Sequence, residues 1–192
     1  MTLDPAPRAV ILDRDGTIVV DRDYLDDPAQ LEFLPGALEG LRLLRERGHR
    51  LVVVTNQSGV GRGRFSLERV EEVHARLGQM LRAAGAAIDG IYYCPHRPED
   101  GCECRKPKPR LALQAASELG FEPAAAVVIG DKSSDIELGR NLGATTMLIS
   151  ASGRTSDDKP VAPDYVVRDL LEAARLLETP AAQLRRGARQ GN

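Results

Sequence analysis

Ala9-Val10-Ile11-Leu12-Asp13-Arg14-Asp15-Gly16-Thr17 is an uninterrupted apolar run that ends in two carboxylates, a glycine and a hydroxyl. A short apolar run of this kind suits a strand covered on both faces, the situation of parallel sheets with helices on either side. The stretch predicts a strand over 9–13 with Asp13 and Asp15 at its carboxyl edge, where doubly wound sheets bind their ligands. Side-chain alternation lets Asp13 and Asp15 face one point, and two like charges converging there are costly unless a cation or a reaction uses them. A hard divalent cation such as Mg²⁺ answers the repulsion. One carboxylate can then attack an electrophile while the other handles protons. Asp-x-Asp-Gly-Thr should arise by chance in only about 0.2% of chains this long, so solvated turn acids are the weaker explanation.

Further apolar runs at 51–55, 90–94, 126–131, 145–149 and 165–167 predict more strands, and helical patterns separate most of them. Leu38, Leu41 and Leu44 share one face of a helix ended by Gly48, and Ser66 caps another that carries Val70, Val73, Leu77, Met80 and Leu81 at helical spacing. Helices are also expected over 109–119, with Gly120 as left-handed cap, over 134–142 before Gly143, and over 169–178 before Pro180. Strands alternating with helices are the mark of repeated βαβ units. The class is α/β, a doubly wound, Rossmann-like and mostly parallel sheet.

The chain has 192 residues, 42% of them hydrophobic, which suffices for one buried core and not for two ordinary domains. A single catalytic domain over 1–180 and a polar, frayed tail over 181–192 are expected. The net charge is −2 with acids and bases interspersed, which predicts neither a nucleic-acid nor a membrane partner. No apolar run reaches membrane-spanning length, and residues 1–8 lack the basic and hydrophobic regions of a signal peptide. The expectation is a cytoplasmic protein, acting as a monomer.

All three cysteines lie close to one histidine: Cys94-Pro95-His96, a short run, then Cys102-Glu103-Cys104-Arg105-Lys106-Pro107. Three thiolates and an imidazole satisfy tetrahedral Zn²⁺, and two close ligand pairs joined by a short turn cost little loop entropy. A disulfide would leave one thiol over. The site is closed, hence structural, and its ion fixes the direction of Arg105 and Lys106.

Other predicted strand ends are also polar. Thr55-Asn56-Gln57-Ser58-Gly59 offers hydroxyls and amides to phosphate oxygens, and Gly130-Asp131-Lys132-Ser133-Ser134-Asp135 offers a further metal carboxylate in Asp131. Asp135 is either a metal-site acid or an acid serving the helix dipole.

Asp13-x-Asp15-Gly16-Thr17, Thr55, Lys106 and Gly130-Asp131-x-x-x-Asp135, in this order and at these strand ends, resemble the haloacid dehalogenase-like phosphohydrolases across 9–149. Thr55 to Gly59, Asp89 to His96 and the Cys102 to Pro107 segment look like the zinc-containing heptose bisphosphate phosphatases and their relatives, the histidinol phosphate phosphatases. The resemblance implies a capless fold with a zinc loop. It implies Asp13 as nucleophile, Asp15 as acid and base, and Mg²⁺ on the carboxylates of Asp13 and Asp131 and the backbone carbonyl of Asp15. It makes Thr55 and Lys106 the holders of phosphoryl oxygens, with Lys132 and Asp135 as further site residues. Asn56, Arg105, Thr17 and Arg62 are expected to bind a small phosphorylated substrate, and Arg64 stands beside them. Residues 16–33 should form a turn and flap that shield Asp13. Only five residues separate His96 from Cys102, as in the histidinol phosphate enzymes, whereas Gly59 to Phe65 and Tyr92-Tyr93 lean to the heptose side. A heptose 1,7-bisphosphate 7-phosphatase is thus the first reading and a histidinol phosphate phosphatase the second. A polynucleotide 3′-phosphatase, a phosphomutase and a non-catalytic zinc-stabilised module stand behind them.

Overall fold

The structure, a computed structural model, describes residues 8–150 and 152–178, so the expected tail over 181–192 lies outside the described residues. Strands and helices alternate as β1 (Ala9–Leu12), α1 (Ala37–Glu46), β2 (Arg50–Asn56), α2 (Leu67–Ala83), β3 (Gly90–Cys94), α3 (Arg110–Leu119), β4 (Val127–Gly130), α4 (Ser133–Leu142), β5 (Thr145–Ile149), β6 (Tyr165–Val167) and α5 (Leu170–Leu177). The strands form one sheet in the order β3-β2-β1-β4-β5-β6, every neighbouring pair parallel.

Alternation along the central strands divides the core in two. Val10 and Leu12 of β1, with Leu51, Val53, Val127 and Ile129, meet Leu41 and Leu44 of α1, Val73, Leu77 and Leu81 of α2, and Leu170 and Ala173 of α5. Ala9 and Ile11 point the other way, with Val52, Val54 and Val128, onto Leu111, Ala112 and Ala115 of α3 and Leu138 and Leu142 of α4. Each such fully buried aliphatic chain contributes about 1.5–3 kcal/mol, which is why β1 tolerates no polar residue before its end. Ser66 Oγ accepts from the Arg69 amide at the start of α2, while Gly120 and Gly143 end α3 and α4 with φ of 68° and 70°.

Chain direction across the sheet reverses between β1 and β4, so their carboxyl ends open a crevice at the switch point. The segment after β1 stays local. Val19 bridges Asp15 on one side and Phe33 on the other, and the Val20 amide donates to the Glu32 carbonyl at 2.9 Å. No inserted cap domain interrupts it. Among the described residues no helix is long and apolar enough to cross a membrane.

Candidate active site

Asp13 and Asp131 leave β1 and β4 on either side of the crevice, and both are buried. Asp13 Oδ1 accepts from the Arg14 amide at 2.7 Å and pairs with Lys106 Nζ at 2.9 Å. Its Oδ2 has no hydrogen-bond donor among the described residues. Burial opposes ionisation of Asp13, but the Lys106 and Lys132 cations outweigh it and hold its pKa below the ordinary carboxylate value.

Lys106 is itself buried, its Nζ shared between Asp13 and Asp135 Oδ1 at 2.7 Å. Asp135 Oδ2 accepts from the Lys132 amide at 3.0 Å at the head of α4. Asp135 therefore serves the helix start, one of the two roles expected of it, and also holds the Lys106 ammonium, a role the spacing did not suggest. Burial raises it to about 6, with Lys106 pulling the other way. Asp131 is pushed up by burial first and then by the neighbouring Asp13 charge, against the pull of Lys132. Its Oδ1 is fully buried without a partner among the described residues. The Asp15–Gly16 turn runs against this carboxylate. At Gly16, with φ +81°, a Cβ atom would lie 2.4 Å from Asp131 Oδ2.

Asp15 does not converge on Asp13 as a repelling partner. Its carboxylate turns to the Arg14 guanidinium, with Arg14 NH2 at 2.9 Å and Nε at 3.1 Å from both oxygens, and to Gln57 Nε2 at 2.9 Å. Lys106 and Lys132 answer Asp13 and Arg14 answers Asp15, so each carboxylate has its own cation and the expected mutual repulsion is relieved before any ion binds. Thr55 Oγ1 accepts from Gln57 Nε2 at 3.0 Å, which leaves the hydroxyl hydrogen free to be donated.

These groups line an open cavity of about 510 Å³ whose walls include Tyr24, Arg105, Lys132 and Lys159. Arg105 stands on the rim, its NH1 donating to the His96 carbonyl at 3.3 Å. Lys132 Nζ spans from Asp131 at 3.8 Å to Asp21 at 2.9 Å and ties the flap to the site. Four residues expected on the substrate side are placed differently. Asn56 lines the cavity, but its amide is used on the backbone of Lys106, accepting from N at 3.0 Å and donating to O at 3.3 Å. Arg62 does not reach the cavity and faces Glu99 at 3.7 Å, while Arg64 lies over the Tyr24 ring at 4.2 Å. Thr17 is buried beneath the floor, its Oγ1 unpartnered among the described residues. Asn56, Arg62 and Arg64 were consumed by local structure, which spacing cannot reveal.

The cysteine loop closes beside the cavity. Cys94 Sγ lies 3.5 Å from Cys102 Sγ and 3.2 Å from Cys104 Sγ, and His96 Nδ1 lies 3.7 Å from Cys94 Sγ and 3.2 Å from Cys104 Sγ.

Comparison with known proteins agrees with this geometry. The HAD-hydrolase-like family model matches residues 103–173. A D-glycero-β-D-manno-heptose-1,7-bisphosphate 7-phosphatase of Pasteurella multocida is 36% identical over 179 residues, covering 89% of this chain and 97% of that protein. The protein of the same description from Vibrio cholerae is 39% identical over 171 residues, covering 85% and 92%. The crystal structure of a D,D-heptose 1,7-bisphosphate phosphatase from B. bronchiseptica, complexed with magnesium and phosphate, superposes with a TM-score of 0.78 at 30% identity, covering 89% of this chain and 98% of that one.

The chain belongs to the haloacid dehalogenase-like phosphatases.

As a phosphatase of this family it is a phosphoric monoester hydrolase, and its donor atoms fit two kinds of metal. Asp13, Asp131 and Asp135 bring carboxylate oxygens within 4.8 Å of one another, and the orphaned Asp131 Oδ1 has no protein donor to satisfy it, a set suited to a hard cation such as Mg²⁺. Cys94, His96, Cys102 and Cys104 likewise bring four soft donors within 4.8 Å, the number and type that tetrahedral Zn²⁺ takes. Reading the sequence passed over Arg14 and His74 and offered the Gln57 amide to phosphate, whereas the structure gives that amide to Arg14, Asp15 and Thr55. Arg14 occupies the variable position of the first motif, and nothing in its spacing announces burial.

Proposed function

We propose that this phosphatase removes the 7-phosphate of D-glycero-D-manno-heptose 1,7-bisphosphate through an aspartyl-phosphate on Asp13. The observation that carries the reading is the Asp13 carboxylate at the cavity floor. One oxygen is held by Lys106 and the Arg14 amide and the other is free, in a chain 35–39% identical to heptose bisphosphate phosphatases over most of its length.

Asp13 Oδ2 attacks phosphorus, and the bond from phosphorus to the sugar oxygen breaks as the new one forms. Asp15 gives a proton to the departing sugar oxygen, then takes one from the water that attacks the aspartyl-phosphate, releasing phosphate and restoring Asp13. The Thr55 hydroxyl and Lys106 ammonium hold the phosphoryl oxygens, where charge spreads in the transition state. Mg²⁺ held by the carboxylates of Asp13 and Asp131 and the Asp15 carbonyl would neutralise phosphate charge, and Zn²⁺ on Cys94, His96, Cys102 and Cys104 would staple the loop carrying Arg105 and Lys106. A monomer working in the cytoplasm, where thiolates persist, belongs to the same proposal.

The substrate reading rests on the relatives and on the charge of the rim. With no cap to enclose a ligand, Arg105 on one wall and Lys159 on another must grip whatever lies beyond the reacting phosphate. A second phosphate suits them, with charge-assisted bonds worth about 1.5–3 kcal/mol; the cationic histidinol does not. Released phosphate measured in parallel should give heptose 1,7-bisphosphate a kcat/KM at least about tenfold above histidinol phosphate, roughly 1.4 kcal/mol in transition-state binding, and Arg105→Ala should narrow the gap. Preference for histidinol phosphate would overturn the assignment.

A further inference from the structure

Arg14 is 1% exposed, among the largest fully buried side chains of the protein. Burying a guanidinium is expensive, and an apolar chain would fill the same volume at no electrostatic cost. Its donors go to three partners. Nε and NH2 face the Asp15 carboxylate, NH2 also donates to Gln57 Oε1 at 3.0 Å, and NH1 meets His74 Nε2 at 3.0 Å. Asp15 is the only anion among them.

The other two partners leave Arg14 little freedom. Gln57 must turn Oε1 to the guanidinium, which forces its Nε2 toward Asp15 Oδ2 at 2.9 Å and Thr55 Oγ1 at 3.0 Å. His74 comes from α2, sixty positions away, with its ring edge-on to Tyr93 at 5.2 Å between centroids. Burial first, then the Arg14 charge, push the His74 pKa down to about 3, so the ring stays neutral and Nε2 can accept. Asp15 Oδ2 thus receives Arg14 Nε, Arg14 NH2 and Gln57 Nε2, whereas Oδ1 receives only Nε at 3.1 Å. Oδ1 is the oxygen with capacity left for a proton.

We propose that Arg14, Gln57 and His74 form a buried positioning network that locks the Asp15 carboxylate with Oδ1 toward the departing oxygen, so that these residues act on proton transfer through Asp15. The inference rests on Asp15 being the acid and base of the proposed reaction. It assigns a purpose to the one fully buried arginine among the described residues, and it makes a residue of α2 a determinant of chemistry at the end of β1.

The distinguishing readout is leaving-group dependence of the first step. Expelling an alkoxide needs the Asp15 proton, while 4-nitrophenolate departs with little help. Rapid-quench bursts should be measured with an alkyl phosphate and with 4-nitrophenyl phosphate for wild type, Asp15→Asn, Arg14→Lys, His74→Leu and His74→Gln. His74→Leu strands a guanidinium donor one residue removed from Asp15, and should slow the alkyl burst at least about tenfold while slowing the nitrophenyl burst less than about threefold. Arg14→Lys, which keeps the charge and loses the fork, should show the same selectivity more strongly. His74→Gln, whose carbonyl can accept from NH1, should restore most of the alkyl rate. Parallel slowing of both bursts, or no change in either, would overturn the network while Asp15→Asn remains selective. Non-selective slowing by Asp15→Asn would instead overturn the acid assignment and the inference with it. If Arg14→Lys does not fold, the two His74 variants carry the decision.

Discussion

Replacing Gly16 by alanine adds one methyl group at the point where the catalytic turn meets the Asp131 carboxylate, and Gly63 offers an internal control. Both residues have left-handed backbones, φ +81° at Gly16 and +67° at Gly63, so alanine costs each about 1–2 kcal/mol of conformational strain. In a domain of this size that is a fall of roughly 2–8 °C in Tm. The surroundings separate them. At Gly63 an added Cβ meets nothing within 4 Å, whereas at Gly16 it would lie 2.4, 2.6 and 2.9 Å from three atoms of the Asp131 carboxyl group. Real Cβ atoms do not approach so closely, so Asp131 or the turn must move by most of an ångström. Displacements of that order in a reacting constellation cost about a hundredfold in rate, some 2.7 kcal/mol. Gly63→Ala should therefore lose stability and keep kcat within about twofold, while Gly16→Ala should lose comparable stability, about a hundredfold in kcat, and affinity for Mg²⁺. The assays are thermal unfolding, phosphate release across a Mg²⁺ titration, and calorimetric Mg²⁺ binding without substrate. Wild-type kcat and Mg²⁺ affinity in Gly16→Ala would refute the claim that contact between the turn and Asp131 shapes the site.

Asp13→Asn should fold and lose nearly all activity, and quenching during turnover of ³²P-labelled substrate should trap label on the wild-type protein alone; near wild-type rates in Asp13→Asn would reject it as nucleophile. Cys104→Ser should reduce zinc from one per chain, measured by elemental analysis, and lower activity more than Tm, because the two faces of the sheet keep their own cores. Equal loss of both would show the loop to be integral to folding. His74 is held neutral to about 3 against an ordinary 6.5, so between those values the unfolded chain binds a proton that the fold does not. Stability contributed at neutral pH is then lost as pH falls below 6.5, by about 1.4 kcal/mol per unit. The stability advantage of wild type over His74→Gln in urea should accordingly shrink by about 2 kcal/mol between pH 7 and pH 5, and a constant difference would contradict the buried neutral imidazole.

What the amino-acid sequence determined by itself is whatever covalent geometry turns into a short-range pattern. The apolar run before Asp13 made β1, the recurrence of Val70, Val73, Leu77 and Leu81 made α2, and Gly120 and Gly143 ended their helices where left-handed backbone was required. The strand limits shifted by only a residue or so, as at β4, which covers Val127–Gly130 rather than 126–131. The set of three cysteines and His96 was legible for the same reason, since its four donors lie within one short segment. The destinations of polar side chains were decided by tertiary structure. Asn56, Arg62 and Asp15 looked equally available at strand ends and loops, yet the fold used Asn56 on the Lys106 backbone, gave Arg62 to Glu99 and turned Asp15 to Arg14. Arg14 looked like a variable position until β2 and α2 brought Gln57 and His74 around it. A backbone period says which way a residue starts out; Gln57 and His74, which complete the surroundings of Arg14, arrive from 43 and 60 positions away, and only packing brings them there.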